Sequence, residues 1–114
     1  MSESPKIDLV DPLRYETEGQ PHDLFRWLRR HDPVYRHAEP DGPGWWAVTR
    51  YRDVEAVSRD PATYSSALGG IMIADGSAEE LAGARNMMLY IDPPRHVRYR
   101  KLVRSAFTPA APSA

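Results

Sequence analysis

Apolar and polar positions in the first half of the chain change their spacing twice, and each spacing predicts an element. Helical spacing comes first, on Leu24, Trp27 and Leu28, and a His-Asp-Pro stop follows it. Residues 34–37 and 45–49 are then rich in β-branched and aromatic side chains, and a dense run of turn formers separates them. The pattern therefore predicts a helix that begins at Pro21, followed by an antiparallel hairpin.

Three further stretches complete the predicted order. Apolar residues at three-residue spacing predict a short amphipathic helix over residues 50–59. Residues 67–91 are the least regular part and are predicted to form a long loop with a helical patch over residues 77–86. Residues 1–20 are polar and are interrupted by Pro12 and Gly19, which favours an extended N-terminal arm ahead of one domain over residues 21–114.

The last helix is predicted over residues 92–108. Asp92 is a capping residue type, and the two prolines after it suit a first helical turn, because amides there have no intrahelical partner. Pro109 ends the helix. Five residues form its apolar arc and four lie opposite: Tyr99, Leu102, Val103, Ala106 and Phe107 against Arg98, Lys101, Arg104 and Ser105. The helix is therefore predicted to be amphipathic, with a basic outer side.

Two cationic side chains lie on the edge of this apolar arc. His96 and Arg100 are four residues apart, so they fall on one line of the helix, and that line continues through Val103 and Phe107. Unpaired charge is costly to remove from water. We therefore expect both side chains to point inward and to meet an anion.

This helix resembles the C-helix region of soluble bacterial cytochrome P450 monooxygenases. The resemblance rests on residues 88–96, on the His-x-x-x-Arg spacing of His96 and Arg100, and on the Ala-Phe-Thr-Pro exit at residues 106–109. The predicted order of helix, hairpin, short helix, long loop and capped helix is also similar to the front of that fold. The resemblance implies a mainly α fold with a small β-hairpin (α+β), which is the incomplete N-terminal portion of the P450 fold.

The resemblance also implies a cofactor and an activity. In that family the His and Arg of this motif bind haem propionates, so haem b is the expected cofactor of His96 and Arg100. The implied activity is that of a haem-thiolate monooxygenase, which hydroxylates an apolar small molecule with O2 and electrons from a ferredoxin-type donor. Residues 44–51 are most similar to members that act on sterols and methyl-branched lipids. The electron donor is expected to dock on Arg98, Lys101 and Arg104.

Loop 67–91 is, by the same resemblance, the segment over the distal side of the haem that recognises substrate. The candidate substrate-binding residues are Ile71, Met72, Met87, Met88 and Leu89. Flexible methionine side chains suit an adaptable apolar pocket. Packing against parts of the protein outside this chain explains any one of these residues equally well, so both readings stay open.

Composition limits what the chain does by itself. Its 114 residues provide one modest domain, and they include no cysteine, so the axial thiolate of the family is absent. We therefore expect an N-terminal fragment of a longer protein that has no catalytic or metal-binding residue of its own and is inactive alone. The sequence contains no targeting segment and no apolar run of membrane-spanning length, which favours a cytoplasmic protein without a membrane partner.

A small non-catalytic binding module is the alternative function. All 16 acidic residues lie at or before Asp92, whereas five of the 15 Lys and Arg residues lie between Arg95 and Arg104. Such a local basic patch also suits docking of an acidic protein or a nucleic acid. The electron donor already explains these residues, so no nucleic-acid partner is expected. The remaining histidines lack metal-ligand spacing and are predicted to have surface or capping roles: His22, His31 and His37.

Overall fold

The computed structural model describes residues 5–69, 73 and 76–109. Within them, the helices are α1 (Pro12–Glu18), α2 (His22–His31), α3 (Tyr51–Arg59), α4 (Ala78–Ala84) and α5 (Arg95–Arg104), and the strands are β1 (Val34–His37) and β2 (Trp45–Val48). Short 3-10 turns lie at Ser66–Leu68, Met88–Tyr90 and Ser105–Phe107. The chain is therefore mostly helical with one two-stranded antiparallel sheet, as the sequence predicts. No helix in the described ranges is long and apolar enough to cross a membrane.

The chain divides into two units, residues 1–56 and 57–114. The core of the first unit is formed by four buried residues, Leu9, Leu24, Leu28 and Ala47, with Ile7, Phe25, Trp27, Tyr35 and Trp45 packed around them. Leu28 has no exposed surface at all. The helical spacing of α2 thus places its apolar face in the core, as predicted.

The hairpin has a regular register from Val34 opposite Val48 to His37 opposite Trp45. Side chains alternate between the two faces of a strand, so Trp45 packs on the core while Trp46 is largely exposed. Gly44 closes the hairpin with a φ of 75°, and a Cβ there would lie 2.5 Å from the carbonyl oxygen of His37. Only glycine suits this position, because both the backbone conformation and the close approach exclude a side chain.

The N-terminal arm is not extended throughout, which corrects the prediction for residues 1–20. Helix α1 lies inside it: the Asp11 carboxylate accepts a hydrogen bond from the Leu13 amide at 3.0 Å, and Pro12 occupies the first helical position. Gly19 ends the helix with a φ of 74°. Proline at the start and glycine just past the end are helix boundary signals, and the sequence reading took them as interruptions.

In the second unit, α4 forms at the predicted place. The Ser77 hydroxyl accepts from the Glu80 amide at 3.2 Å, and the Glu80 carboxylate accepts from the Ser77 amide at 2.6 Å. This reciprocal capping box satisfies two amides at the start of the helix. The Ser77 amide, and to a smaller extent the Ser77 hydroxyl, lower the pKa of the Glu80 carboxyl below its ordinary value. Arg85, after the helix, donates from Nε to the Ala67 carbonyl at 2.8 Å.

Candidate anion-binding site on helix α5

Helix α5 begins three residues later than predicted. Its N-cap is Pro94, whose ring has no atom that accepts a hydrogen bond from the amides of the first turn. The Pro93–Pro94 bond is cis. Asp92 contributes its backbone carbonyl, which accepts from the His96 amide at 3.0 Å. Its carboxylate does not cap the helix, contrary to the prediction. The helix also ends at Arg104 and gives way to a 3-10 turn, so residues 92–108 are not one continuous α-helix.

The Asp92 carboxylate instead contacts the segment that precedes the long loop. It accepts hydrogen bonds from the Ser65 hydroxyl and, at 2.9 Å, from the Ser66 amide. The Ser65 oxygen in turn accepts from the Ala67 amide at 3.1 Å. The Ser65 hydroxyl, the Ser66 amide and the attraction of His96 hold the pKa of Asp92 below its ordinary value. We call these three residues, Asp92, Ser65 and Ser66, the loop clasp.

His96 and Arg100 lie together on α5, as their spacing predicts. They line an open hollow of about 340 Å³ on the helix surface, whose lining residues are His96, Val97, Arg100, Lys101 and Arg104. We call it the basic hollow. The four cationic or titratable side chains in it make no hydrogen bond and no ion pair within the described part of the chain. Their donors are therefore available to an anion.

The apolar arc of α5 is open to solvent in the described structure. The exposed fractions of its four largest members are 85% for Phe107, 77% for Leu102, 48% for Val103 and 41% for Tyr99. His96 is half-buried, and Arg100 is exposed. The expectation that both point into an interior is therefore not met in this chain, because nothing in the described ranges covers the arc. The basic hollow is a surface site.

The local electrostatics of α5 favour an anion. Lys101 and Arg104 lie in its last turn, where positive charge stabilises the helix dipole, and no acidic side chain lies in its first turn. Arg95 is engaged elsewhere: its guanidinium donates to the Tyr99 hydroxyl at 3.2 Å and lies 5.4 Å from the centre of that ring. A guanidinium such as that of Arg100 matches a carboxylate through two parallel N–H donors. The hollow is therefore suited to carboxylate or phosphate groups.

The structure groups the basic residues of α5 differently from the sequence prediction. Lys101 and Arg104, assigned to an outer docking side, line the same hollow as His96 and Arg100, and Arg98 does not. Among the predicted substrate residues, Met88 and Leu89 lie on the 3-10 turn before α5, Met87 is the residue just before that turn, and all three are exposed. Ile71 and Met72 lie outside the described residues. The roles given to all of these residues stay predictions.

Sequence similarity to known proteins covers most of this chain but only part of each relative. No protein-family model matches it. The chain is 42% identical over 110 residues to linalool 8-monooxygenase of Pseudomonas putida, with 90% of the chain and 27% of the relative covered. It is 44% identical over 108 residues to cytochrome P450 126 of Mycobacterium tuberculosis, with 90% and 26% covered. A steroid C26-monooxygenase of the same species is 32% identical over 117 residues, with 94% and 27% covered.

The chain is homologous to bacterial cytochrome P450s. It spans about a quarter of the length of the curated relatives it matches. His96 and Arg100, which the sequence pattern first indicated, lie in a chain of which about 90% aligns with these relatives.

The residues present fit one part of the P450 cofactor. Haem carries two carboxylate groups, and the basic hollow offers unpaired cationic donors of the kind that bind carboxylates. The iron requires a different ligand, and a thiolate is absent because the 114 residues include no cysteine. No cluster of His, Cys, Asp and Glu in the described ranges has the arrangement of a metal site. The chain is thus suited to hold the anionic edge of a haem and not its iron.

Besides helix α1, two structural features were missed by sequence reasoning. The loop clasp joins residues 26 and 27 positions apart, and no local signal marks such a pair. His37, predicted to have a surface or capping role, is buried, with 7% of the residue exposed. The alternation of the strand carried that second signal, because Tyr35 and His37 share the face of β1 that packs on the core.

Proposed function

We propose that this chain is the part of a haem-thiolate monooxygenase that holds the carboxylate edge of haem b. The observation that carries the proposal is that His96 and Arg100 line one hollow, neither in a hydrogen bond or ion pair within the described structure, inside a segment that is 42% identical to linalool 8-monooxygenase. Cationic donors that are left unpaired and converge on one hollow favour an anionic ligand.

Each side chain of the hollow has a distinct task in this proposal. Arg100 offers its guanidinium to both oxygens of one carboxylate, and His96 donates from its ring on the preceding turn. Lys101 and Arg104 add positive charge at the rim of the hollow. Haem, when bound, supplies the oxygen and electron-transfer chemistry. Because the chain has no cysteine, the thiolate must come from residues outside these 114, and the chain alone is inactive.

The finer parts of the function follow from kinship. We propose an apolar small molecule as substrate, hydroxylated with O2, since the relatives include proteins named for linalool and for a steroid. Sterols and branched lipids are the proposed class. A ferredoxin-type protein is the proposed electron donor, docking at Arg98, Lys101 and Arg104, and a cytoplasmic location, without nucleic-acid or membrane partners, is part of the same proposal.

A segment exchange tests the proposal. The matched part of linalool 8-monooxygenase is replaced by this chain, and the purified chimera is measured for bound haem and for its reduced carbon monoxide spectrum. We expect a folded haem protein with a thiolate-type absorption band. A chimera that has native-like circular dichroism but retains no haem would contradict the proposal.

A second measurement covers the case of a chimera that fails to fold. The 114-residue chain is titrated with haemin and with haemin dimethyl ester, whose carboxylates are blocked. The proposal expects tighter binding of haemin than of the ester, and a smaller difference after Arg100→Ala. Arg98→Ala is the matched control, because it removes an equal charge outside the basic hollow.

The binding-module alternative is favoured by one observation, the presence of Lys101 and Arg104 in the same hollow as His96 and Arg100. Four such side chains on one helix also suit an acidic protein surface or a nucleic acid. The genomic DNA after the codon for Ala114 separates the two functions. A continuation that encodes Glu-x-x-Arg and a cysteine-bearing haem loop supports the monooxygenase, and an unrelated continuation supports the module.

A further inference from the structure

We propose that Asp92 is a positioning residue, which closes the base of loop 67–91 and places His96 for its anion. The inference rests on the proposed function only for the identity of that anion. Its own basis is the set of contacts that Asp92 makes in two directions.

The first direction is toward the start of the loop. The Asp92 carboxylate accepts from the Ser65 hydroxyl and from the Ser66 amide, which directly precede residue 67. Asp92 itself directly follows residue 91, so the loop clasp joins the two ends of the loop. Hydrogen bonds to a charged acceptor are stronger than those between neutral groups. The hydrogen bonds of the loop clasp therefore hold the two ends of the loop next to each other.

The second direction is toward α5. The backbone carbonyl of Asp92 accepts from the His96 amide at 3.0 Å and so forms the first helical turn that carries His96. The carboxylate also attracts His96, since that attraction contributes to the lowered pKa of Asp92. One residue thus anchors the loop base with its side chain and the first turn of α5 with its backbone.

The N-cap of α5 explains why this anchor matters. Pro94 cannot cap the helix with its side chain, and no acidic residue in the first turn does so. The start of α5 is therefore held by the contacts of Asp92 rather than by a capping side chain. If the clasp opens, the turn that carries His96 loses its link to the loop, and the histidine ring is no longer held from that side.

The experiment is nuclear magnetic resonance on the 114-residue chain, without haem. The carboxyl carbon of Asp92 is titrated with acid, and the amide and ring signals of His96 are recorded. In Ser65→Ala we expect the pKa of Asp92 to rise toward its ordinary value and the His96 signals to move. Ser66→Ala is the matched control: it removes a hydroxyl one residue away that makes no hydrogen bond in the described structure and keeps the amide that Asp92 uses. Ser65→Thr keeps the hydroxyl and should restore both signals.

Two results would overturn the inference. One is that Ser65→Ala leaves the pKa of Asp92 unchanged. A chain that is too unfolded to form the loop clasp would give this same result. The other is that the pKa of Asp92 rises while the His96 signals do not move. In that case the loop clasp forms but does not position His96. Neither readout involves haem. A chain that passes this test and still fails to prefer haemin over its ester would sink the proposed function and leave the positioning role of Asp92 supported.

Discussion

The backbone amide of Leu9 donates to Nε2 of His37 across a distance of 3.2 Å, and both residues are buried. A ring nitrogen that accepts carries no proton, so the proton lies on Nδ1, which donates to the Ala38 carbonyl at 2.8 Å. The ring is stacked on Trp45 with 4.7 Å between centres. The neutral imidazole therefore ties the N-terminal segment to the hairpin.

Replacing His37 tests this tie. We expect His37→Leu to lower the free energy of unfolding of the first unit by about 1–3 kcal/mol, because the buried Leu9 amide is left without a partner. Hydrogen exchange at the Leu9 amide should become faster. His22→Leu is the control, since His22 is exposed and makes no side-chain hydrogen bond in the described structure. Equal exchange at Leu9 in both variants would show that the tie contributes nothing.

Removing the two central donors of the basic hollow should weaken haem retention. In the segment-exchange chimera, His96→Ala and Arg100→Ala are each expected to reduce affinity by about 1.5–3 kcal/mol, the usual strength of a hydrogen bond to a charged group. The effects should be coupled, because both side chains serve one anionic cofactor. Haem affinity is measured by transfer to apomyoglobin. Unchanged affinity in the double variant would refute the assignment.

Reversing charge at the rim of the hollow should slow electron delivery. In the same chimera, Lys101→Glu and Arg104→Glu are expected to reduce the rate of reduction by a ferredoxin at low salt, since rim charges mainly steer encounter. The loss should shrink at high salt, and substrate binding should not change. Arg52→Glu reverses an exposed charge on α3 and serves as control. If haem content falls as well, Lys101 and Arg104 hold the cofactor rather than the donor.

Acid should open the loop clasp. The hydrogen bonds from Ser65 and Ser66 lower the pKa of Asp92, so the clasp is fully formed above the ordinary aspartate pKa and is lost as the pH falls through the lowered value. His96 is the titratable side chain that acts on Asp92. Proteolysis within residues 67–91 should therefore accelerate only at strongly acidic pH, tested with pepsin. An Asp92→Asn variant should show the acidic rate at all pH values, and a pH-independent wild-type rate would contradict the prediction.

The 114-residue chain should be marginally stable and catalytically inert alone. Within the described ranges the buried apolar residues are Leu9, Leu24, Leu28, Ala47 and Ile91, and the apolar arc of α5 is exposed. So little burial barely offsets the ordering entropy of short helices and one hairpin. We expect broad thermal unfolding and, after haemin, dithionite and carbon monoxide, no thiolate-type band. A sharp unfolding transition would refute the marginal stability, and a thiolate-type absorption band would refute the catalytic inertness.

Local chemistry determined much of this protein. The period of apolar residues sufficed for α2 and the hairpin, because each element buries one face and its spacing shows which. The Ser77 and Glu80 pair sufficed for the start of α4, since a capping box closes within four residues. The His96 and Arg100 line on α5 likewise needed only the pitch of a helix, whereas the place of Lys101 and Arg104 in the same hollow came from the structure.

Tertiary structure decided the rest, for a common reason. Asp92 was a cap by residue type, and it became a clasp because Ser65 and Ser66, far away in sequence, compete for its carboxylate. His37 became a core residue because the Leu9 amide, 28 positions away, needs an acceptor in a buried place. The choice between alternative partners of one polar group depends on which partners folding brings near, and residue spacing along the chain does not record that.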